Sequence, residues 1–201
     1  MKNNPQPPEG GLKDKKNKPE RAVSSPLGAR GCIFLVGFMG SGKTTFGKKL
    51  AAKLALPFVD LDSEVINHYQ AQEEHVQSIK EIIGQNGLPF FRAIESETLR
   101  LIDVNNKVIS TGGGTPCHFD NMEWMKRRGM VVFLNVDEGV LFSRLKNTDL
   151  EERPLLKDLD EEGLKNFIHE KLKERLPIYT EANITFNPVT QKVEDLVELL
   201  K

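Results

Sequence analysis

The chain has 201 residues, enough for one domain with a sizeable core, and its 28 Lys and Arg against 29 Asp and Glu leave a formal net charge of −1. No bulk charge draws it to nucleic acid or to a membrane surface, so any electropositive site must be local. No apolar run approaches the ~20 residues of a membrane helix, and the N-terminus lacks the apolar core of a signal peptide.

Residues 1–30 are rich in Pro, Gly, Lys and Asn, hold almost nothing to bury, and read as a disordered tail ahead of one domain over 31–201. CIFLV, from Cys32, is a continuous apolar run, as expected of a strand buried on both faces of a parallel sheet. It runs into GFMGSGKTT, Gly37 to Thr45. Phe46, Leu50, Ala51 and Leu54 then recur at helical spacing. PFVDLD reads as a second strand, followed by a helix with Ser63 as its N-cap. SIKEIIGQNG reads as a helix ended by glycine, and FFRAIESETLRLID as a longer one. NKVIS is a third strand entering TGGGT, MVVFLNV a fourth, and DEGVLFSRLK a helix. Helices are expected over 161–174 and 190–200, with ANITF as a fifth strand between them. Strands alternating with helices imply an α/β layered fold with a mostly parallel sheet. Ligands in such sheets bind at the carboxyl ends of strands, where the glycine loop, DLD and GGG all fall. Cys32 and Cys117 read as free thiols of a reducing, cytoplasmic compartment, and no metal-ligand spacing joins the Cys and His residues.

GFMGSGKTT fits the phosphate-loop pattern G-x-x-x-x-G-K-[ST] in its required strand–loop–helix context. Gly40, Ser41, Gly42, Lys43, Thr44 and Thr45 are therefore the candidate ATP phosphate site. Lys43 supplies a cation between the β- and γ-phosphates, the Thr44 hydroxyl ligates Mg²⁺, and a Cβ at Gly42 would crowd the approach. Asp60 and Asp62, two apart on a strand, face one side and could serve Mg²⁺ and an acceptor hydroxyl; Asp62 could instead cap the next helix. Arg92 and Glu95 share a helix face, as a surface ion pair or as a braced fork for a carboxylate. Gly112, Gly113 and Gly114 leave backbone N–H groups open to a ligand. Arg153 lies in a polar stretch that reads as a mobile lid. Arg175 reads as a cation at a helix end.

GxxGSGKTT, FVDLD, FRAIE, GGG, RPLL and RLPIY, in this order over about residues 31–200, resemble the shikimate kinase family. The resemblance implies a three-layer P-loop kinase fold of the nucleoside-monophosphate-kinase kind, with a mobile lid. It implies Mg²⁺-dependent transfer of phosphate from ATP to the 3-hydroxyl of shikimate, in the aromatic amino-acid pathway. In that family pattern Asp62 binds and activates the acceptor hydroxyl, and Arg92 and Arg175 grip the carboxylate. Glu95 braces Arg92, and Gly113, flanked by Gly112 and Gly114, meets the substrate. Asp60 serves Mg²⁺ through water, Arg153 reaches the ATP phosphates, and Arg144 lies against adenine. FNPVTQ holds no arginine for the adenine side, leaving Pro188 or Gln191 there. Two other readings share the loop. A gluconate kinase would not need FRAIE, GGG and RLPIY together, and a non-catalytic nucleotide-binding switch would not need the acceptor residues. A monomer is expected, with neither nucleic acid nor membrane as partner.

Overall fold

The structure is a computed structural model that describes residues 31–71, 78–148, 156 and 159–201. The expected tail, residues 1–30, and the lid arginine Arg153 lie outside the described residues. Five strands form one sheet: β1 (Cys32–Val36), β2 (Phe58–Asp60), β3 (Val108–Ser110), β4 (Gly129–Leu134) and β5 (Ile184–Phe186). Their order is β2-β3-β1-β4-β5, and every pair is parallel. The helices are α1 (Lys43–Leu54), α2 (Leu61–Gln70), α3 (Ile79–Leu101), α4 (Asn121–Arg128), α5 (Glu138–Lys146), α6 (Glu161–Tyr179) and α7 (Val193–Leu199).

β1 is central and every residue in it is buried, as its unbroken apolar run requires. Alternation along it separates two cores. Phe34 and Val36 face a cluster built with α2 to α6, while Ile33 and Leu35 face one built with α1 and α7. On α1, Phe46, Leu50 and Ala51 are buried, the stripe that the spacing indicated. β1 therefore ends between β3 and β4, with its glycine loop at the carboxyl edge.

Three local expectations are corrected. β2 stops at Asp60, which is the N-cap of α2; its carboxylate accepts from the Asp62 backbone N–H at 3.1 Å. Asp62 thus lies in the first helical turn rather than on a strand, and neither Ser63 nor Asp62 is the cap. The glycine-ended helix and the longer one after it are both present: α3 is two helices end to end, parted at Gly87, whose φ of 82° and ψ of 166° are non-helical. α6 continues through Pro177 to Tyr179, so Arg175 lies inside the helix and is buried. α4 carries few apolar residues and was not anticipated, although Met122 and Met125 are buried in the core.

β4 opens with glycine because it has no room for a side chain. Gly129 pairs with Cys32, and a Cβ there would stand 2.0 Å from the Cys32 carbonyl oxygen. Backbone on a central strand cannot yield by that much. Gly129→Ala is expected to destabilise the fold by at least about 2 kcal/mol, read by denaturant titration; unchanged stability would contradict this register.

Candidate active site

Three chain exits meet at the carboxyl edge of the sheet: the glycine loop after β1, the start of α2 after β2 and the glycine turn after β3. Met39–Gly42, Asp60 and Asp62, and Thr111–Gly113 line, with Arg144, Thr148 and Pro188, a cleft of about 560 Å³. The placement follows from the parallel order, which sends all three chain exits to one edge.

In the first loop Gly37, Gly40 and Gly42 all have positive φ, at 138°, 81° and 92°. At Gly42 it is this backbone angle that demands glycine rather than lack of space, since the nearest atom to a Cβ would be 3.6 Å away. The loop delivers the chain into the N-terminus of α1, whose first N–H groups have no helical acceptor and point at an anion. Lys43 Nζ donates to the carbonyls of Gly37 at 2.9 Å and Phe38 at 2.8 Å, so its ammonium is held against the loop. Ser41 is buried, while Thr44 and Thr45 face the cleft. Arg144, from α5, donates to the carbonyls of Gly40 at 3.0 Å and Ser41 at 3.2 Å.

Thr44 Oγ1 donates to Asp60 Oδ2 at 2.8 Å and lies 3.5 Å from Ser110 Oγ. Ser110 was not singled out in the sequence; its signal is a hydroxyl closing an otherwise apolar strand at the carboxyl edge. Asp62 is the second residue of α2, two positions beyond the end of β2, and is half-buried. Burial, then Glu95, then Asp60 push its carboxyl up from 3.8 to about 6, against the opposing pull of Lys43 and Arg92.

The acceptor side packs around the three glycines. Arg92 and Arg175 are 8% and 5% exposed, which rules out a surface ion pair and a solvated helix-end cation. Arg92 Nη1 donates to Glu95 Oε2 at 2.6 Å, and Glu95 is fully buried. Arg175 lies over the Phe38 ring at 5.6 Å. Tyr179, one turn after Arg175, donates from its hydroxyl to the Gly113 carbonyl at 2.5 Å. A Cβ on Gly112 would fall 2.5 Å from Glu95 Oε1 and 3.1 Å from Asp62 Oδ1, and one on Gly114 would fall 2.5 Å from Arg92 Nη2. The glycines are thus hemmed in by the groups named for the acceptor. Two buried nitrogens, Arg92 Nε and Arg175 Nη1, carry no hydrogen bond among the described residues. Buried guanidinium nitrogens without acceptors are costly, and a carboxylate is the group whose geometry answers them.

The raised carboxyl of Asp62 has a stability consequence. Its folded value lies above the ordinary one, so the native state holds the proton more tightly than the unfolded chain. Stability tied to this group is present below pH 3.8, falls as pH rises toward about 6, and is lost above it. Asp62→Asn, which stays neutral, is expected to stabilise the protein at pH 7 by about 1–3 kcal/mol, with the gain shrinking below pH 5. Thermal unfolding at both pH values checks this, and a loss of stability at pH 7 would refute the electrostatic assignment.

The sequence profile of the shikimate kinase family matches residues 39–201. A shikimate kinase of Bacteroides thetaiotaomicron is 41% identical over 178 residues, which span 84% of this chain and 98% of that protein. The crystal structure of shikimate kinase from Bacteroides thetaiotaomicron aligns with a TM-score of 0.77 at 40% identity, covering 86% of this chain and 99% of that one. The shikimate kinase from Acinetobacter baumannii, solved in complex with shikimate, aligns with a TM-score of 0.72 at 31% identity, over 85% of this chain and 90% of that one. These matches favour neither the gluconate kinase nor the switch reading, and the phosphate loop from Met39 on, the paired aspartates and the buried arginines lie inside the matched residues 39–201. The chain belongs to the shikimate kinase family.

Proposed function

We propose that this cleft transfers the γ-phosphoryl group of ATP to the 3-hydroxyl of shikimate, giving shikimate 3-phosphate and ADP. The observation that carries the reading is the pair of buried arginines beside the GGG turn, each with a nitrogen that has no partner among the described residues, and with Arg175 packed on Phe38 of the phosphate loop. Shikimate is a small anionic polyol, and the acceptor side offers cations for its carboxylate and a carboxylate for its hydroxyls.

The division of labour follows from the chemistry of each group. The amides at the start of α1 and the ammonium of Lys43 hold the ATP phosphates. Arg92, held by Glu95, and Arg175 grip the carboxylate and fix the ring. The Gly113 backbone, tied by Tyr179, meets the substrate face. Asp62 orients the 3-hydroxyl and accepts its proton as the new O–P bond forms and the bond from the γ-phosphorus to the ADP oxygen breaks. A carboxyl near pH 6 suits that task, being mostly ionised at neutral pH yet more basic than an ordinary aspartate. Arg144 takes the adenine side with Pro188, and Arg153 is assigned to the phosphates by its match to the family pattern. Positioning and charge neutralisation carry most of the barrier reduction in such transfers.

Mg²⁺ fits the donor set. The Thr44 hydroxyl and the Asp60 carboxylate are hard oxygen donors within 2.8 Å of each other. Among the described residues there is no group of three or more His, Cys, Asp or Glu that could cage a metal. A cation that keeps its waters and takes phosphate oxygens needs only such a sparse set. Thr44 and, through water, Asp60 would hold it, and it would neutralise charge on the phosphates.

Every group in this reading comes from one chain, which supports action as a monomer. No helix among the described residues is long and apolar enough to cross a membrane. The free thiols Cys32 and Cys117 support a reducing, cytoplasmic setting.

ADP release should depend on both shikimate and Lys43. Arg92→Ala is expected to raise KM for shikimate by about 100-fold or more while leaving ATP affinity within about threefold, since removing one partner of a buried pair costs several kcal/mol. Near-normal turnover of Arg92→Ala at low shikimate would overturn the carboxylate assignment.

A further inference from the structure

We infer that Thr115 is a positioning residue for acceptor binding: its hydroxyl, carried on backbone that Asn121 holds by the Thr115 carbonyl, fixes Glu95 so that Glu95 holds Arg92 ready for the carboxylate. The inference rests on the shikimate reading above and extends it to residues outside the cleft. Glu95 is fully buried, and both of its oxygens are occupied. Oε2 accepts from Arg92 Nη1 at 2.6 Å, and Oε1 accepts from Thr115 Oγ1 at 2.5 Å. A carboxylate held by one donor can turn about that contact, whereas one held at both oxygens cannot. The hydroxyl of Thr115 therefore sets the plane of the carboxylate, and that plane sets the guanidinium.

Thr115 is itself fixed. It begins the 3-10 turn Thr115–Cys117 directly after the GGG loop, and its backbone N–H donates to the Gly112 carbonyl at 3.2 Å. Its carbonyl accepts from Asn121 Nδ2 at 2.8 Å. Asn121 Oδ1 in turn accepts from Ser96 Oγ and Arg100 Nη1, both at 2.8 Å. Ser96 follows Glu95 on α3, so the chain of bonds closes on itself: α3, the GGG turn, α4 and back to α3. Thr115 and Asn121 are both fully buried. Bonded at both Glu95 oxygens and through Thr115 and Asn121 in a low-dielectric interior, such a network resists reorientation. The same turn thus holds the substrate-facing glycines and the brace of the carboxylate-binding arginine in one register.

The experiment is steady-state ADP release and equilibrium shikimate binding on Thr115→Val, Thr115→Ala and Thr115→Ser. The valine keeps the shape and removes the donor; the alanine removes the donor without adding bulk, should the valine not fold; the serine keeps the hydroxyl. The donor-free variants are expected to raise both KM and Kd for shikimate about 10-fold or more, the scale of a lost hydrogen bond to a charged group. KM for ATP should stay within about twofold, and Thr115→Ser should remain within about threefold of wild type. In a Glu95→Gln background, Thr115→Val should add less than about twofold, because the relay acts through that carboxylate. Folded donor-free variants with unchanged shikimate binding, equal rises in KM for both substrates, or a full additive loss beside Glu95→Gln would overturn the inference. A wild type without shikimate-dependent turnover would overturn the functional reading as well, whereas a working wild type with insensitive Thr115 variants would overturn this inference alone.

Discussion

The buried pair of Arg92 and Glu95 is the constraint around which the acceptor half is arranged. An arginine that must meet a substrate carboxylate away from water cannot be left to find its own orientation, since long charged side chains lose much rotamer freedom when they are ordered. Glu95 imposes that order at 2.6 Å, three residues along the same helix. Such a pair is poor evidence for stability, because the desolvation of two charges rivals their attraction. Its value lies in geometry. It also has an electrostatic side effect. Glu95 brings a negative charge close to Asp62, and after burial it is the next largest reason that the Asp62 carboxyl stands near 6. The group that orients the carboxylate-binding arginine thus also makes the hydroxyl-binding aspartate more basic. Binding and chemistry share one buried anion.

The sheet order makes this sharing possible. With β1 flanked by β3 and β4, and β2 beyond β3, the phosphate loop, the aspartate pair and the three glycines leave the same edge side by side. The glycines matter here as spaces rather than as hinges. A methyl group at Gly112 or Gly114 would overlap Glu95 or Arg92. Between Glu95 and Arg92 the glycine turn therefore presents backbone alone, which leaves the Gly113 backbone to lie against a ligand.

Much of this was legible in the sequence where the signal is local. The phosphate loop declares itself by spacing and by the strand before it, and the all-parallel sheet follows from the alternation of elements. Legibility failed where tertiary contacts override local pattern. Asp60 and Asp62 read as a strand pair; in fact Asp60 ends the strand and caps a helix, so the two reach the cleft by a turn instead of by strand alternation. Arg175 read as a helix-end cation, but the helix runs on through Pro177 to Tyr179. Its burial comes from Phe38 and the glycine loop, far away in the chain. α4 was missed because NMEWMKRR is too polar and short to show an apolar stripe, yet its Asn121 is central to the hydrogen-bonded chain behind the glycines. The bond between Thr115 and Glu95 spans 20 residues, and no spacing rule points to it.

The central claim is that two buried guanidinium groups recognise a carboxylate and that this recognition, more than the phosphate loop, selects the acceptor. Calorimetric titration of shikimate against its neutral carboxamide tests it most directly, since the two share every hydroxyl and the ring. Shikimate should bind at least about 100-fold more tightly, the scale of two charge-assisted hydrogen bonds to arginine. Equal affinity for the carboxamide would contradict the account, because the arginines would then be holding something other than the substrate's charge.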